Sequence, residues 1–234
     1  MEEGKIRIAK YLAMCGLGSR RKSEEYVAQG RVEINREKVM SPTEKVDLKL
    51  DTVKVDGRTV KPKHFVYYAV NKPAGYTTST QDVHADQLVT ELVPGDPPVW
   101  PAGRLDKDTT GLLIMTNDGG FTQRLTHPSF MKEKEYLITT DKPLSASDLD
   151  RIRKGVVLDD GPVKPDLFKR IDENRYRIVI HEGRKRIVRR LIAHFKRQVK
   201  ELIRIRIGEL ELDALKTGEY RKLTDREIQS LYQK

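Results

Sequence analysis

The run PAGRLDKDTTGLLIMTNDG, residues 101–119, joins a glycine-bounded turn to an apolar strand. The turn contains Asp106, and we expect the strand at 111–115 to be buried. Rigid scaffolds of this kind can aim a reactive side chain from a turn. An isolated turn more often uses an aspartate such as Asp106 or Asp108 to bind backbone amides, but the motif at 103–113 is eleven residues long.

Strands and helices are mixed on both sides of this run, without the regular alternation of a doubly wound sheet. The pattern therefore predicts an α+β fold whose larger domain has a mostly antiparallel mixed sheet. The expected strands are 65–70, 111–115, 134–139, 164–171, 174–181 and 200–207, and the expected helices are 85–92, 119–126, 145–154, 185–195 and 224–231.

The beginning of the chain predicts a small helix-helix-hairpin unit. Apolar residues from Ile6 to Ala13 repeat with helical spacing, and Ser19 can cap a second helix that ends at Gly30. The segment VEI at 32–34 alternates as a strand.

Turn and linker signals follow in the next thirty residues. We expect a turn at 35–38, and Asp56-Gly57 is a typical two-residue hairpin turn. Lys61-Pro62-Lys63 is a candidate linker, because proline cannot donate a hydrogen bond to a continuing strand. We therefore place one domain at 1–60 and a second at 64–234.

The charge of the chain predicts an anionic partner. Its 234 residues include 45 Lys plus Arg and 35 Asp plus Glu, a net charge of +10. Residues 1–63 hold 15 Lys plus Arg against 10 Asp plus Glu, which is +5 of that total. Cations at a helix N-terminus oppose the helix dipole, so Arg20, Arg21 and Lys22 indicate an external anion, with a solvated charged face as the alternative.

Several kinds of site lack support in the sequence. A single cysteine, Cys15, is compatible with neither a disulfide framework nor a cysteine-based zinc site, and it favours a reducing cytosol. The histidines lack metal-ligand spacing, and there is no GxxxxGK[ST] or GxGxxG loop, so we expect no metal and no cofactor. No apolar run reaches the ~20 residues of a membrane span. We expect neither secretion nor membrane insertion.

Four further blocks accompany the run at 101–119: NKPAG at 71–75, EKEY at 133–136, EGRKRIVRRL at 182–191 and LIRIRIGELEL at 202–212. Together these five blocks resemble the rRNA pseudouridine synthases of the RsuA/RluB family. Residues 1–60 also resemble the small RNA-binding domain named after ribosomal small-subunit protein four. The resemblance implies that uridine in rRNA is converted to pseudouridine without a cofactor.

The resemblance also implies roles for single residues. The catalytic aspartate falls on Asp106, which could act as a nucleophile or as an ion-stabilising base. The family's arginine falls on Arg189, and we expect it to pair bidentately with Asp106 and keep it ionised. Tyr136 matches a tyrosine that stacks on the uracil or joins a proton transfer, and Leu202 matches an apolar residue of the pocket. From the charge run alone, Arg189 would be expected on the solvated face of an RNA-binding helix. From strand alternation alone, Tyr136 would be expected in the core.

Access to a uridine in folded RNA requires flipping the nucleotide out of its stack. Basic surface is expected near the site, and residues 181–206 provide it with 10 Lys plus Arg against two Glu. Arg184, Lys185 and Arg186 precede a predicted helix and are the expected phosphate ligands. Arg104, beside Asp106, is expected to extrude the base or to hold a phosphate.

Together these expectations describe a monomeric, cytoplasmic rRNA pseudouridine synthase. The N-terminal domain favours 23S rRNA of the large subunit, although enzymes acting on 16S rRNA share the same layout. The alternative is a catalytically silent RNA-binding or ribosome-assembly protein, which would not explain why Asp106, Tyr136 and Arg189 occur together. Binding of anionic lipid would need an amphipathic helix with a large apolar face, and we find none outside the expected core.

Overall fold

The computed structural model describes residues 5–79 and 86–233. The chain divides into two compact units. The first comprises Met1–Phe65 together with Asp96–Pro98, and the second comprises Val66–Gly95 together with Val99–Lys234. Each unit contains its own cluster of buried apolar residues, as independently packed domains do.

In the first unit, two helices pack on two small antiparallel sheets. One sheet has the order β3-β2-β5-β6, and the other pairs β1 with β4. Cys15 is buried in the apolar cluster, and this burial raises the pKa of its thiol to about 12. The elements are β1 (Lys5–Arg7), α1 (Ile8–Met14), α2 (Arg20–Ala28), β2 (Val32–Ile34), β3 (Glu37–Val39), β4 (Lys45–Asp47), β5 (Val53–Val55) and β6 (Arg58–Thr59).

Two local predictions in this unit are confirmed, a helix cap and a hairpin turn, because a single side chain or turn dihedral sets the geometry of each. The Ser19 side chain accepts a hydrogen bond from the Lys22 amide and caps α2, as predicted. Asp56 and Gly57 both have positive φ, at 49° and 75°, which gives the predicted hairpin between β5 and β6.

Two predicted elements of this unit differ from the structure. Helix α1 begins at Ile8 and not before it, because Ile6 pairs with Val46 and the backbone of β1 is satisfied by β4. The predicted turn at 35–38 is shorter, since Asn35 and Arg36 alone make the turn and β3 begins at Glu37.

The second unit is built on one sheet, which has nine strands among the described residues. The elements are β7 (Tyr67–Lys72), β8 (Trp100–Pro101), β9 (Thr110–Thr116), α3 (Gly119–Thr126), β10 (Lys134–Thr140), α4 (Ala146–Lys154), β11 (Val156–Leu158), β12 (Gly161–Val163), β13 (Leu167–Arg170), β14 (Arg175–Ile180), α5 (Ile187–His194), β15 (Val199–Ile207), β16 (Leu210–Glu211), β17 (Tyr220–Lys222) and α6 (Asp225–Tyr232), with 3-10 helices at Val89–Leu92 and Pro128–Phe130.

The strand order is β13-β14-β10-β15-β9-β7-β17, with β16 on β15 and β8 on β9. Among the described pairings in this sheet, β15 with β9 is parallel and the others are antiparallel. The predicted α+β class with a mostly antiparallel mixed sheet is therefore confirmed.

Both faces of this sheet carry a buried cluster. Helices α4 and α5 cover one face, where Ile152 and Leu191 pack with strand residues such as Ile138. Helices α3 and α6 cover the other face, where Phe121 and Leu231 belong to the buried cluster. Burial of apolar surface on both faces makes the sheet a rigid support for the loops at its edge.

The predicted helix at 85–92 is wrong in type and length. A 3-10 helix spans Val89–Leu92, while residue 85 lies outside the described part of the chain. The predicted strand 65–70 is shifted to Tyr67–Lys72, and 164–171 is shortened to Leu167–Arg170. The helix predicted at 119–126 is α3.

Gly111 joins the turn of residues 104–109 to the sheet. Its φ is +99°, and it lies opposite Arg204 where β9 runs parallel to β15. A Cβ atom on Gly111 would lie 2.2 Å from the Arg204 carbonyl oxygen. Only glycine allows this close approach of the two backbones.

Candidate active site

Residues 104–109, here called the Asp106 turn, have all six of their backbone carbonyls hydrogen-bonded. One bond is local, from the Thr109 amide to the Asp106 carbonyl at 3.0 Å. Side chains from elsewhere donate to the other five carbonyls. Arg204 donates to the carbonyl of residue 104 at 3.4 Å, and Thr78 to that of 105 at 2.7 Å. Lys72 donates to the carbonyls of 107 and 109 at 3.3 and 3.0 Å, and Arg189 to that of 108 at 3.1 Å. Such a turn is fixed in one conformation.

The two carboxylates of the turn face two arginines. Arg186 lies 3.7 Å from Asp106 and 3.3 Å from Asp108. Arg189 lies 3.2 Å from the Asp108 carboxylate. The Asp106 side chain is 33% exposed, so a substrate can reach it.

The predicted bidentate pair between Arg189 and Asp106 is not formed. Arg189 donates to the Val199 carbonyl, the Asp108 carbonyl and the Thr109 hydroxyl, and these bonds direct its guanidinium to Asp108. Arg186 is the cation beside Asp106 instead. It precedes α5 with a φ of 52°, and this left-handed conformation is uncommon for a residue with a side chain.

Burial and charge shift the titration of these groups. Burial opposes ionisation of Asp108, but the bond from Arg186 and the charge of Arg189 outweigh it and lower the pKa of Asp108. Burial also lowers the pKa of the Arg189 guanidinium, against the charge of Asp108. The Arg189 Nε is buried and has no hydrogen-bond partner in the described part of the chain.

Lys72 is a buried ammonium beneath the turn. It is fully buried, and its Nζ donates to the carbonyls of Pro73, Lys107 and Thr109 at 2.8, 3.3 and 3.0 Å. Burial lowers the pKa of Lys72 to about 8, although the charges of Asp108 and Asp106 oppose that shift. Lys72 is thus a positive charge beneath the two carboxylates of the turn.

One row of residues crosses four strands under the turn. In the registers of the sheet, Tyr136 lies opposite Arg204, Arg204 opposite Gly111, and Gly111 opposite Lys72. Directly opposed residues share a face of a sheet, so three side chains of this row project to the side of the turn.

Tyr136 and Leu202 lie in the apolar cluster that also contains Leu105 of the turn. Both are buried, at 8% and 5% exposure. The Tyr136 hydroxyl makes no hydrogen bond to any residue that the structure describes. This burial is compatible with a role for both residues in the wall of a substrate pocket, and equally with ordinary packing in the core.

The expected phosphate ligands differ in availability. Arg184 is committed elsewhere, since it donates to Glu182, Asp160 and the Pro162 carbonyl, each at 2.7 Å. These bonds tie the segment before α5 to the β11–β12 hairpin and count against the phosphate role expected for Arg184. Lys185 and Arg104 are exposed, and neither side chain has an ion-pair partner in the described residues.

In the first unit, Arg20 and Arg21 are exposed at the start of α2 and have no side-chain partner among the described residues. Lys22 differs from them, because it forms an ion pair with Glu25 at 2.8 Å. Arg20 and Arg21 are therefore the more available pair of cations at this helix end.

Sequence reasoning missed Lys72, Thr78 and Arg204, whose side chains hold the turn. Two signals could have identified the cations. Lys72 ends the strand YYAVNK, and Arg204 alternates with apolar residues in LIRIRI, so both occupy inward positions of a strand. Thr78 carries no comparable signal.

No group of His, Cys, Asp or Glu side chains suited to a metal ion occurs in residues 5–79 and 86–233. Within the same ranges, no helix combines the length and apolar character needed to cross a membrane.

Two family models match the chain. Residues 66–194 match the RNA pseudouridylate synthase model, and residues 6–51 match the S4 domain model. A crystal structure of a pseudouridylate synthase superposes with a TM-score of 0.71 and 30% identity, over 97% of this chain and 99% of that one.

Sequence relatives extend over nearly the whole chain. An uncharacterised RNA pseudouridine synthase of Aquifex aeolicus is 38% identical, over 97% of this chain and 94% of its own length. One from Mycobacterium tuberculosis strain H37Rv is 38% identical over 97% and 93%. The dual-specificity RNA pseudouridine synthase RluF of Escherichia coli is 33% identical over 99% and 80%. The chain therefore belongs to the RNA pseudouridine synthase family and carries an S4 domain ahead of its catalytic domain.

Proposed function

We propose that this protein isomerises a specific uridine in ribosomal RNA, with 23S rRNA favoured over 16S rRNA, and that Asp106 is its catalytic carboxylate. Residues 1–60 would bind RNA and residues 64–234 would carry out the reaction. The observation that carries the proposal is the Asp106 turn, where an accessible carboxylate is held by five side-chain hydrogen-bond contacts to neighbouring carbonyls.

The reaction moves a glycosidic bond within one nucleotide. The bond from ribose C1′ to uracil N1 breaks, a bond from C1′ to C5 forms, the C5 hydrogen leaves as a proton, and N1 takes up a proton. An ionised Asp106 can attack an electrophilic carbon or stabilise a cationic sugar. Both versions need the negative charge of Asp106.

Arg186 and Arg189 supply the positive charge around this carboxylate. Arg186 faces Asp106 directly at 3.7 Å, while Arg189 binds Asp108 and the Asp108 carbonyl. In this proposal Arg186 places a positive charge beside Asp106, and Arg189 supports the turn. Tyr136 and Leu202 would contribute the apolar wall against which the flipped uracil lies.

Binding energy for nucleotide flipping would come from available cations. Flipping costs a few kcal/mol, and phosphate contacts can offset it. Lys185 and Arg104 in the second unit are exposed, as are Arg20 and Arg21 in the first. We place the protein in the cytoplasm as a monomer, and the single cysteine is compatible with that reducing compartment.

The test of the site is release of tritium from transcripts of 23S and 16S rRNA that carry [5-³H]uridine. We expect Asp106→Asn to reduce turnover on the order of 10⁴-fold without lowering Tm. Asp108→Asn is the matched control in the same turn, and its loss of turnover should be smaller because Asp108 is the more exposed and already paired carboxylate. Normal turnover by Asp106→Asn would refute the assignment.

The test of the substrate is pseudouridine mapping on rRNA from cells with and without this protein. Carbodiimide treatment and primer extension should reveal one missing site, expected in 23S rRNA. A missing site in 16S rRNA would reassign the subunit. Unchanged modification throughout both rRNAs would favour a silent RNA-binding or assembly protein.

A further inference from the structure

Arg204 is a buried arginine without a carboxylate partner. The residue is 2% exposed, and none of its nitrogens forms an ion pair within the described part of the chain. Its Nε donates to the Leu112 carbonyl at 2.7 Å and its Nη1 to the Arg104 carbonyl at 3.4 Å. Its Nη2 is buried with no hydrogen-bond partner among those residues.

This arrangement is unfavourable for stability alone. A buried charge without a counterion loses hydration that neutral carbonyls replace incompletely, and an apolar side chain of similar volume is often tolerated better. Nearly all buried donors in proteins have a partner, so Nη2 is an exception that needs a reason. The nearby Lys134 adds to the unfavourable charge, since burial and the Arg204 charge together lower the pKa of Lys134 to about 8.

The position of Arg204 supplies that reason. Its backbone lies against Gly111, two residues after the end of the Asp106 turn, and its side chain reaches residue 104 at the start of the turn. Arg204 therefore joins both ends of the turn, while Lys72 binds carbonyls only at 107 and 109 within it.

We propose that Arg204 is a positioning residue that fixes the start of the Asp106 turn through the Arg104 carbonyl and so sets the direction of the Asp106 carboxylate. Arg204 acts through the turn and does not contact RNA, because it is buried. This inference rests on the proposed role of Asp106.

The same strand offers a matched control. Arg206 lies two residues further along β15, where a register shift between Glu135 and Tyr136 pairs it with Glu135 and so places it on the other face of the sheet. It pairs with Glu135 at 2.7 Å and with Glu133 at 3.0 Å. Arg206 is therefore an arginine of the same strand whose charge is fully paired and whose contacts do not reach the turn.

The experiment compares Arg204→Met, Arg204→Lys and Arg206→Met in the full-length protein, with kcat and KM from tritium release on [5-³H]uridine 23S and 16S rRNA transcripts and Tm from thermal unfolding. We expect Arg204→Met to lose kcat on the order of 10²-fold, with KM unchanged and Tm equal to or above wild type. The kcat of Arg204→Lys should be at least threefold higher than that of Arg204→Met. Arg206→Met should lower Tm and keep kcat.

Two results would overturn the inference: normal kcat in folded Arg204→Met, whatever its Tm, or no recovery of kcat in Arg204→Lys. Asp106→Asn run alongside separates the two hypotheses. An inactive Asp106→Asn with a normal Arg204→Met refutes only the positioning role, whereas an active Asp106→Asn refutes the role of Asp106 and the positioning role with it.

Discussion

Two aspartates flank strand β9 and have opposite surroundings. Asp118, after the strand, is 6% exposed and accepts hydrogen bonds from Tyr67, Tyr232 and the amides of Gly120 and Phe121. Asp106, before the strand, is 33% exposed at its side chain, and Arg186 at 3.7 Å is its ion-pair partner in the described residues. A carboxylate with four donors stabilises the fold, whereas a carboxylate with few partners can still interact with a substrate.

The same contrast applies to cations. Arg206 is paired with two glutamates, while within residues 5–79 and 86–233 Lys72 and Arg204 under the turn hydrogen-bond only to neutral carbonyls. Unpaired buried charge is unfavourable for folding, and it occurs here at the place where the chemistry is proposed. Lys72 and Arg204 therefore lie beneath the turn at a cost in stability that the paired Arg206 does not have.

The first prediction tests the stable end of β9. Asp118→Ala removes the N-cap of α3 and leaves the half-buried hydroxyls of Tyr67 and Tyr232 without this acceptor, so the free energy of unfolding should fall by about 3 kcal/mol. Turnover by the folded protein should stay near wild type. Chemical denaturation measures the first effect and tritium release the second. An Asp118→Ala protein of wild-type stability would contradict the structural role.

The second prediction tests the cation beneath the turn. Lys72→Met removes three hydrogen bonds to carbonyls, so kcat should fall on the order of 10²-fold. Because the folded-state pKa of Lys72 is depressed to about 8, its protonated form opposes folding at neutral pH, and the variant should not be less stable at pH 7.

A pH profile distinguishes the charge of Lys72 from its shape. Wild-type kcat should fall as pH rises through about 8, where Lys72 loses the proton that faces Asp106 and Asp108. Lys134 has a similar pKa, but it is present in both wild type and Lys72→Arg and so contributes equally to both profiles. The arginine in Lys72→Arg keeps the positive charge above pH 8, so its kcat should fall less than that of wild type. Identical profiles for wild type and Lys72→Arg would contradict this role of the charge.

The third prediction concerns a paired group far from the turn. Bonds from Arg221, opposed by burial, lower the pKa of Glu227 to about 2. A depressed carboxyl pKa stabilises the fold above the unfolded-state value near 4.5, and this stabilisation is lost as pH falls toward 2. Glu227→Gln should therefore lower the free energy of unfolding by about 1–2 kcal/mol at pH 7, with a difference that shrinks at pH 3. Urea melts at both pH values measure it.

The smallest expected effect compares two kinds of cation on one helix. The double variant Arg20→Ala, Arg21→Ala should weaken rRNA binding several-fold and reduce the slope of log K against log salt by roughly 1–2, because neither side chain has a partner among the residues that the structure describes. Lys22→Ala should change the slope less, since Lys22 is already paired with Glu25. Filter binding between 50 and 200 mM salt tests both. Equal slopes for all three proteins would argue against phosphate contacts at this helix.

Local signals predicted those parts of the fold that local geometry determines. Ser19 capped its helix and Asp56-Gly57 formed its hairpin because a side-chain acceptor or a positive φ suffices. The strand at Lys5–Arg7 was missed because its pairing with β4 is a tertiary contact forty residues away, which overrides the helical spacing of its apolar residues.

The site was predictable as a set of residues but not as a set of contacts. The motif containing Asp106 and the arginines before and within α5 were visible in the sequence. Which arginine faces Asp106 depends on the backbone of Arg186 and on the carbonyls that hold Arg189, and neither is encoded by spacing along the chain. Lys72 and Arg204 occupy inward strand positions that mark them as buried cations, but the sequence does not show which backbone carbonyls they bind.

The buried thiol of Cys15 has a practical consequence for labelling. A pKa near 12 leaves almost no thiolate at pH 7, and burial denies access to reagents. A maleimide dye should therefore leave the natural protein largely unmodified. A cysteine introduced at exposed Lys185 or Arg21 could then be labelled selectively, and its fluorescence would report when rRNA reaches each part of the molecule.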